Sequence, residues 1–137
     1  MKSIGVNLLL LVVIVLLLVA TTDFGFLGPH RSVEAQKRAA FADVNRGLKA
    51  ALRFFKDDCG RFPTQSENLK VLFQAPTDGS LTNWRGPYLD LREVPKDPWG
   101  HEYIYRIPST HGTNDYDLFS IGPDGRSDTV DDIGNWM

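Results

Sequence analysis

The stretch FADVNRGLKAALRFFKDDCG, residues 41–60, decides how the rest of the chain is interpreted. Its apolar side chains recur three or four positions apart, at Phe41, Val44, Leu48, Leu52 and Phe55. That spacing gathers them on one face of an α-helix. Gly60 then provides a residue that readily adopts the left-handed conformation at a helix end. We therefore predict a helix over about 30–58, with this apolar face packed on its own domain.

A hydrophobic run precedes this helix. Residues 8–20 are uninterruptedly apolar, and the run extends back to Ile4 with Asn7 as its only strongly polar member. At about 1.5 Å per residue the run would extend roughly 25 Å, slightly less than a bilayer core. It is either a membrane anchor or a signal peptide with Lys2 as its basic end. We favour the anchor, because small residues suited to cleavage are hard to place just after Ala20.

The residues that follow the hydrophobic run favour turns rather than a continuous helix. Residues 21–29 hold two glycines and a proline, which favours a break. We therefore predict a membrane segment and break over 1–28 and a second domain over 29–137.

The part that follows the long helix predicts a mixed fold. Thr64 and Glu67 have the spacing of a capping box, which favours a short helix over about 65–74. Strand-like alternation follows at 101–107 and 116–121, with a shorter candidate strand at 88–91. A helix followed by a small antiparallel sheet, within 86–137, is an α+β fold.

Composition excludes several functions. The 137 residues carry a formal net charge of −2, so no basic surface for nucleic acid is indicated. A single cysteine, Cys59, rules out an intrachain disulfide. His30, His101 and His111 lack metal-ligand spacing and are interpreted as surface or loop residues. Since no serine stands in a nucleophile motif either, we expect no enzyme activity.

The strongest chemical signal is the stretch SIGPDGRSDTVDDIGNW, residues 120–136. Asp124, Asp131 and Asp132 offer the hard oxygen ligands that Ca²⁺ prefers. The loop is not an EF-hand, because counting from Asp124 puts Thr129 and Asn135 where that motif needs Gly and Glu. From the residues alone, a calcium site and a solvated acidic turn both stay open.

Four stretches in one order resemble the major pseudopilin family of the type II secretion system, the G-type subunit. They are LKAALRFFKDDCGRFPTQSENLKVL, NWRGPYL, VPKDPWGHEYIY and YDLFSIGPDGRSDTVDDIGNW, and they cover about residues 48–136. The resemblance implies a pseudopilin-like fold, in which a long N-terminal helix lies half in the membrane and packs its outer, amphipathic half on a small antiparallel sheet.

The resemblance also implies a function. Such subunits are expected to form a homo-oligomer through their N-terminal helices, a short periplasmic pseudopilus that drives protein export. The implied partners are other pseudopilins and inner-membrane secretion components, and the implied location is the inner membrane, single-pass, with the C-terminal domain in the periplasm.

The resemblance further implies a structural Ca²⁺ in the C-terminal loop. Carried over to this chain, its side-chain ligands would be Asp124, Asp131 and Asp132. Backbone carbonyls at Ile121 and Thr129 would complete the shell.

The N-terminus departs from the family pattern. The family has Phe-Thr-Leu-Ile-Glu after a leader that ends in Gly, whereas Val6-Asn7-Leu8-Leu9-Leu10 follows Gly5 here. Leu10 therefore stands where an acid is expected. This departure supports an alternative function, a membrane-anchored or exported calcium-binding module that has a pseudopilin-like domain and does not polymerise.

Overall fold

The computed structural model describes residues 32–137, and the predicted membrane segment over 1–28 lies outside the described residues. Within 32–137, no helix combines the length and the apolar character needed to cross a membrane.

One long helix opens the described part of the chain. It consists of α1 (Val33–Ala42), a π-helical segment (Asp43–Leu48) and α2 (Lys49–Cys59), which follow one another without a break. Gly60 ends it as predicted, with a φ of +74° and a backbone N–H that donates to the Lys56 carbonyl at 2.7 Å. This confirms the long helix that the apolar spacing predicts.

The π-helical segment changes which residues face the core. Val44, Leu48, Leu52 and Phe55 are all at most 2% exposed, as predicted. Phe41 is 42% exposed, so its assignment to the buried face is wrong, and Ala40 is buried instead. Because the i→i+5 bonding of a π segment adds a residue to the turn, the buried face continues from Val44 through Ala40.

The segment after the long helix holds a shorter helix than predicted. The capping box forms: the Thr64 N–H donates to Glu67 Oε2 at 2.7 Å, and the Glu67 N–H donates to Thr64 Oγ1 at 3.3 Å. Only Leu69–Leu72 is helical, however, and it is a 3₁₀ helix. Asn68 breaks the helical conformation with a φ of +50°, and its side chain accepts a hydrogen bond from the Leu69 N–H. The single helix over 65–74 is therefore replaced by a capped turn and one 3₁₀ turn.

The sheet has three short antiparallel strands in the order β1 (Ile104–Arg106), β2 (Asp117–Ser120) and β3 (Ile133–Gly134). β1 and β2 lie inside the predicted strand ranges, and Tyr105 pairs with Leu118. β3, in which Ile133 pairs with Ser120, is a strand that the sequence did not predict. Helix and sheet together confirm the α+β fold class.

The predicted strand over 88–91 is wrong. Tyr88 makes one backbone bond there, from its N–H to the Leu72 carbonyl at 2.8 Å, rather than a strand ladder. Its ring packs edge-on against Phe55 and Trp84, with both centroid distances at 5.7 Å. Pro87, immediately before it, has no N–H to give to a ladder, so aromatic packing fixes this segment in place of strand pairing.

Both faces of β2 are covered. All four of its residues are buried. Leu118 joins the core under the long helix, whereas the Phe119 ring packs against Trp136 with centroids 5.2 Å apart. The C-terminal residues thus form a second, smaller apolar layer on the far side of the sheet.

The free edge of β1 is closed by a side chain. The Gln65 amide nitrogen donates to the Tyr105 carbonyl at 3.0 Å, and its amide oxygen accepts the Ile107 N–H at 3.0 Å. Gln65 therefore satisfies the backbone groups that another strand would otherwise pair with.

Candidate functional site: the acidic C-terminal loop

The acidic loop, residues 121–132, connects β2 to β3. Ile121 is its first residue, directly after Ser120. Gly122 has a φ of +64°, and a Cβ at this position would lie 2.6 Å from the Asp131 carbonyl oxygen and from Asp131 Oδ2. Only glycine allows the end of the loop to return this close to its beginning.

Asp124 and Asp131 meet inside the loop. The Asp124 N–H donates to Asp131 Oδ2 at 3.2 Å, and the Arg126 N–H donates to Asp124 Oδ1 at 2.8 Å. The Thr129 hydroxyl donates to Asp131 Oδ1 at 2.6 Å, and this hydrogen bond lowers the pKa of Asp131. Two of the three predicted ligand residues are thus adjacent in the loop.

Asp132 carries the unsatisfied atom of the loop. It is 6% exposed, and its Oδ2 accepts the Asp128 N–H at 2.8 Å, whereas its buried Oδ1 has no hydrogen-bond partner. Burial raises the pKa of Asp132, and the nearby charges of Asp128 and Asp131 add to the effect. A buried carboxylate oxygen without a partner is costly, so this atom suits a cation or a bound water.

The donor chemistry of the loop fits Ca²⁺, since carboxylate and carbonyl oxygens are its usual ligands. The Thr129 carbonyl accepts only a 3.4 Å bond, from the Asp132 N–H. Over residues 32–137, however, no three Asp, Glu, His or Cys side chains converge into a group that could hold a metal. The calcium site, with carbonyls of Ile121 and Thr129 in its shell, stays a prediction.

A second buried carboxylate, missed from the sequence, anchors the start of this loop. Asp97 is 4% exposed and accepts the N–H groups of Trp99 and His101, at 3.0 and 2.8 Å. Its Oδ2 also accepts the Ser120 hydroxyl at 2.6 Å, and that Ser120 oxygen in turn accepts the Gly122 N–H. The DPWG turn is thereby tied to the exit of β2. An Asp at the first position of a turn was the available signal.

A third buried carboxylate, Asp117 in β2, holds the preceding loop. Asp117 is fully buried. Its carboxylate accepts hydrogen bonds from the Ser109 hydroxyl and from the N–H and hydroxyl of Thr110, and it lies 3.0 Å from Nδ1 of His111. Burial acts to raise the pKa of Asp117, but these hydrogen bonds outweigh it and keep the pKa well below its usual range. A charge inside a strand buried on both faces requires such partners, which is the signal that sequence reasoning could have used.

Ser109, His111 and Asp117 include the residue types of a hydrolase triad, but their arrangement is different. The Ser109 hydroxyl and the His111 ring both bond the same Asp117 carboxylate. Ser109 Oγ bonds His111 through its backbone, donating to the carbonyl at 2.9 Å and accepting the N–H at 3.1 Å, and not through the imidazole ring. The His111 ring instead stacks on Trp136, with centroids 4.0 Å apart. The group is built to fix the loop and the C-terminal tryptophan, and the serine has no base to activate it.

The comparisons with known proteins show the family to which the chain belongs. Residues 30–136 match the family model for type II secretion system (T2SS), protein G. The chain belongs to this family.

Individual protein G relatives are similar over the same region. Type II secretion system core protein G of Escherichia coli K12 is 39% identical over 103 residues, which cover 75% of this chain and 69% of the relative. The Klebsiella pneumoniae protein of the same description is 42% identical over 91 residues, 65% of this chain and 62% of the relative. The crystal structure of the major pseudopilin from the type 2 secretion system of enterohaemorrhagic E. coli has a TM-score of 0.64 at 36% identity, and covers 75% of this chain and 88% of that one.

Membership in the protein G family confirms the predicted resemblance. The chain is a major pseudopilin of a type II secretion system, a structural protein and not an enzyme, which also confirms that prediction. Pseudopilins of this kind are membrane-associated and have a periplasmic domain, and they associate with other components of the secretion system.

Proposed function

We propose that this chain assembles into a short periplasmic pseudopilus that drives protein export. The observation that carries the proposal is the family match over residues 30–136, together with the hydrophobic run that precedes it. The segment over 1–28 would anchor each subunit in the inner membrane as a single pass. Copies would pack through their N-terminal helices and would meet other pseudopilins and inner-membrane secretion components.

The mature N-terminus tests this proposal. Mass spectrometry of the protein from membranes is expected to find a chain that begins at Val6 with a methylated amine. Chemical crosslinking in the same membranes is expected to give a ladder of homo-oligomers. An intact Met1, or a start beyond Ala20, would contradict processing of the kind that a pseudopilin undergoes.

A second function, a calcium-binding module that does not polymerise, is favoured by Leu10, which stands where the family has an acid. An acid buried in lipid needs a partner charge, and in an assembly a neighbouring subunit could supply it. Without that acid the driving force for assembly would be smaller. Crosslinking that yields only monomers, from membranes in which the protein is abundant, would select this second function.

We also propose that the acidic loop holds a structural Ca²⁺ through Asp124, Asp131 and Asp132, with carbonyls of Ile121 and Thr129. The unpartnered Oδ1 of Asp132 and the close return of Asp131 to Gly122 support it. Clustered carboxylates repel one another, and a bound divalent cation would reverse that repulsion. The ion would then fasten the loop of a small domain that has no disulfide.

Thermal unfolding of the full chain in detergent tests the calcium proposal. Ca²⁺ at a hundredfold excess over its Kd is expected to stabilise the fold by about 2.7 kcal/mol, and a chelator to reverse the shift. Asp132→Asn should abolish most of the response. Asp128→Asn is the matched control, because it removes an acid of the same loop that is not a proposed ligand. A melting curve that chelator leaves unmoved would refute the site.

A further inference from the structure

The long helix exposes a groove that the domain core leaves uncovered. We call it the helix patch. It is lined by Lys37, Arg38, Phe41, Arg46, Ile133 and Met137. Phe41 is 42% exposed and Met137 is 69% exposed. Two exposed apolar side chains that line one groove are a feature of contact sites.

The helix patch is basic as well as apolar. Three of its lining residues are cations and none is an acid. Among the described residues, neither Arg38 nor Arg46 has a carboxylate within ion-pair distance, and Lys37 approaches only the exposed Glu34, at 3.9 Å. The helix patch therefore suits a partner surface that combines an apolar side chain with negative charge.

The acidic loop offers the complementary surface. Val130 is fully exposed and stands between Thr129 and Asp131, two residues after Asp128. The Thr129 hydroxyl fixes this turn through its bonds to Asp131 and to the Arg126 carbonyl. We call this apolar side chain among carboxylates the loop tip. A fixed turn presents it at little entropic cost on binding.

We infer that the loop tip of one copy seats on the helix patch of a second copy. Apolar Val130 would contact Phe41 and Met137, while Asp128, which is not a proposed calcium ligand, would approach Lys37 and Arg38. The Asp128 side chain is 53% exposed and bonds Arg106 of its own chain at 3.1 Å, so it is held in place at the surface. The two surfaces are different, so the contact is heterologous and leaves each copy with a free patch or a free tip. Contacts of this kind propagate into open filaments when the rotation does not close. The inference rests on the proposed filament and identifies a surface through which its domains meet.

Pairwise cysteine crosslinking tests this contact in membranes that contain the complete secretion system. Phe41→Cys and Val130→Cys are placed on separate full-length chains with different tags, each with Cys59→Ser, and are joined by a short bismaleimide. A mixed dimer that carries both tags is expected. Phe54→Cys is the control partner for Val130→Cys, because Phe54 is 60% exposed on the same helix but lies outside the helix patch. It should give little mixed dimer.

A general amine crosslinker, applied in parallel, separates the two possible failures. A homo-oligomer ladder without the Phe41–Val130 product, or with an equal product from Phe54, would overturn the contact and leave the filament standing. The absence of any ladder would refute the filament, and the contact with it.

Charge reversal gives a second readout that does not depend on a cysteine. Arg38→Glu is expected to lower the yield of the Phe41–Val130 product by about two- to fivefold, in the range of exposed ion pairs, and added salt should lower the wild-type yield likewise. Arg53→Glu is the control, since Arg53 is exposed on the same helix outside the helix patch. Equal losses from both reversals would overturn the assignment to this surface.

Discussion

Asp117 accepts a network of hydrogen bonds from the loop that precedes β2. Its two oxygens accept hydrogen bonds from Ser109, Thr110 and His111, and His111 in turn stacks on Trp136. One buried charge thus fixes a loop and the end of the chain. Its donors are satisfied only while the carboxylate is ionised.

Asp117→Asn is therefore expected to destabilise the protein by about 3 kcal/mol, because the amide turns a donor toward groups that are themselves donors. Urea unfolding followed by tryptophan fluorescence measures the loss. The control is Asp115→Asn, whose side chain is 67% exposed and reaches Lys56 only at 3.7 Å, and which should cost under about 0.5 kcal/mol. Similar costs for the two variants would show that the buried network contributes little.

At the scale of the element, the long helix separates two apolar residues that its sequence treats alike. Leu52 is fully buried, whereas Phe41 is 42% exposed. Leu52→Ala should cost about 2–5 kcal/mol, because it removes packed atoms and leaves a cavity. Phe41→Ala should cost under about 1 kcal/mol in the detergent-solubilised monomer. Thermal or urea unfolding compares them, and an equal loss would mean that the helix faces are assigned wrongly.

An ion pair joins the end of the long helix to the capped turn that follows it. Arg61 donates to both oxygens of Glu67, at 2.6 and 2.7 Å. The Arg61 hydrogen bond, opposed by burial and helped by Thr64, lowers the pKa of Glu67 to about 2. This bidentate pair fixes the chain where it leaves α2 and turns toward the 3₁₀ helix.

At the scale of the whole molecule, these carboxylates make the fold acid-labile. Glu67 and Asp117 both have pKa values below those of the unfolded chain, about 4.3 and 3.9, so their contributions are fully present above about pH 5. Both contributions diminish as the pH falls below the unfolded-state values. The Glu67 contribution is lost by about pH 2, where the folded protein also takes up that proton, and the Asp117 contribution is lost at still lower pH. Asp132 acts with the opposite sign, because its pKa is raised.

The expected result is a melting temperature that falls steadily between about pH 5 and pH 2, in the presence of chelator so that no metal contributes. Glu67→Gln should flatten this slope while it lowers the melting temperature at pH 7. Glu102→Gln provides the control, because Glu102 is an acid whose residue is exposed. A Glu67→Gln profile parallel to the wild type would remove Glu67 from the explanation.

The sequence could predict those elements whose cause lies within a few neighbouring residues along the chain. The long helix and its glycine end follow from spacing within a few turns, and both are present. Phe41 was misplaced because the spacing argument assumes α-helical turns, whereas Asp43–Leu48 is π-helical. Asp43 at the start of that segment accepts the Tyr103 hydroxyl at 2.7 Å, a contact that is distant in sequence. The two-residue strand β3 is too short to show alternation at all.

The same distinction between local and distant causes explains which residues of the candidate site could be predicted. The acidic loop is conspicuous in the sequence because its carboxylates are neighbours along the chain. Asp97 and Asp117 are not, since their partners come together only in the fold: Ser120 is 23 positions from Asp97. Sequence reasoning therefore found the carboxylates that are clustered along the chain and missed those whose partners are distant in sequence.

The closed edge of β1 limits the ways in which copies of this domain can associate at high concentration. An open strand edge accepts a strand from any neighbour, and such pairing grows without a fixed end. Gln65 occupies that edge with an amide group that copies the hydrogen bonding of a peptide unit. One side chain thus prevents strand-by-strand pairing at this edge, so contacts between copies of the domain are left to other surfaces.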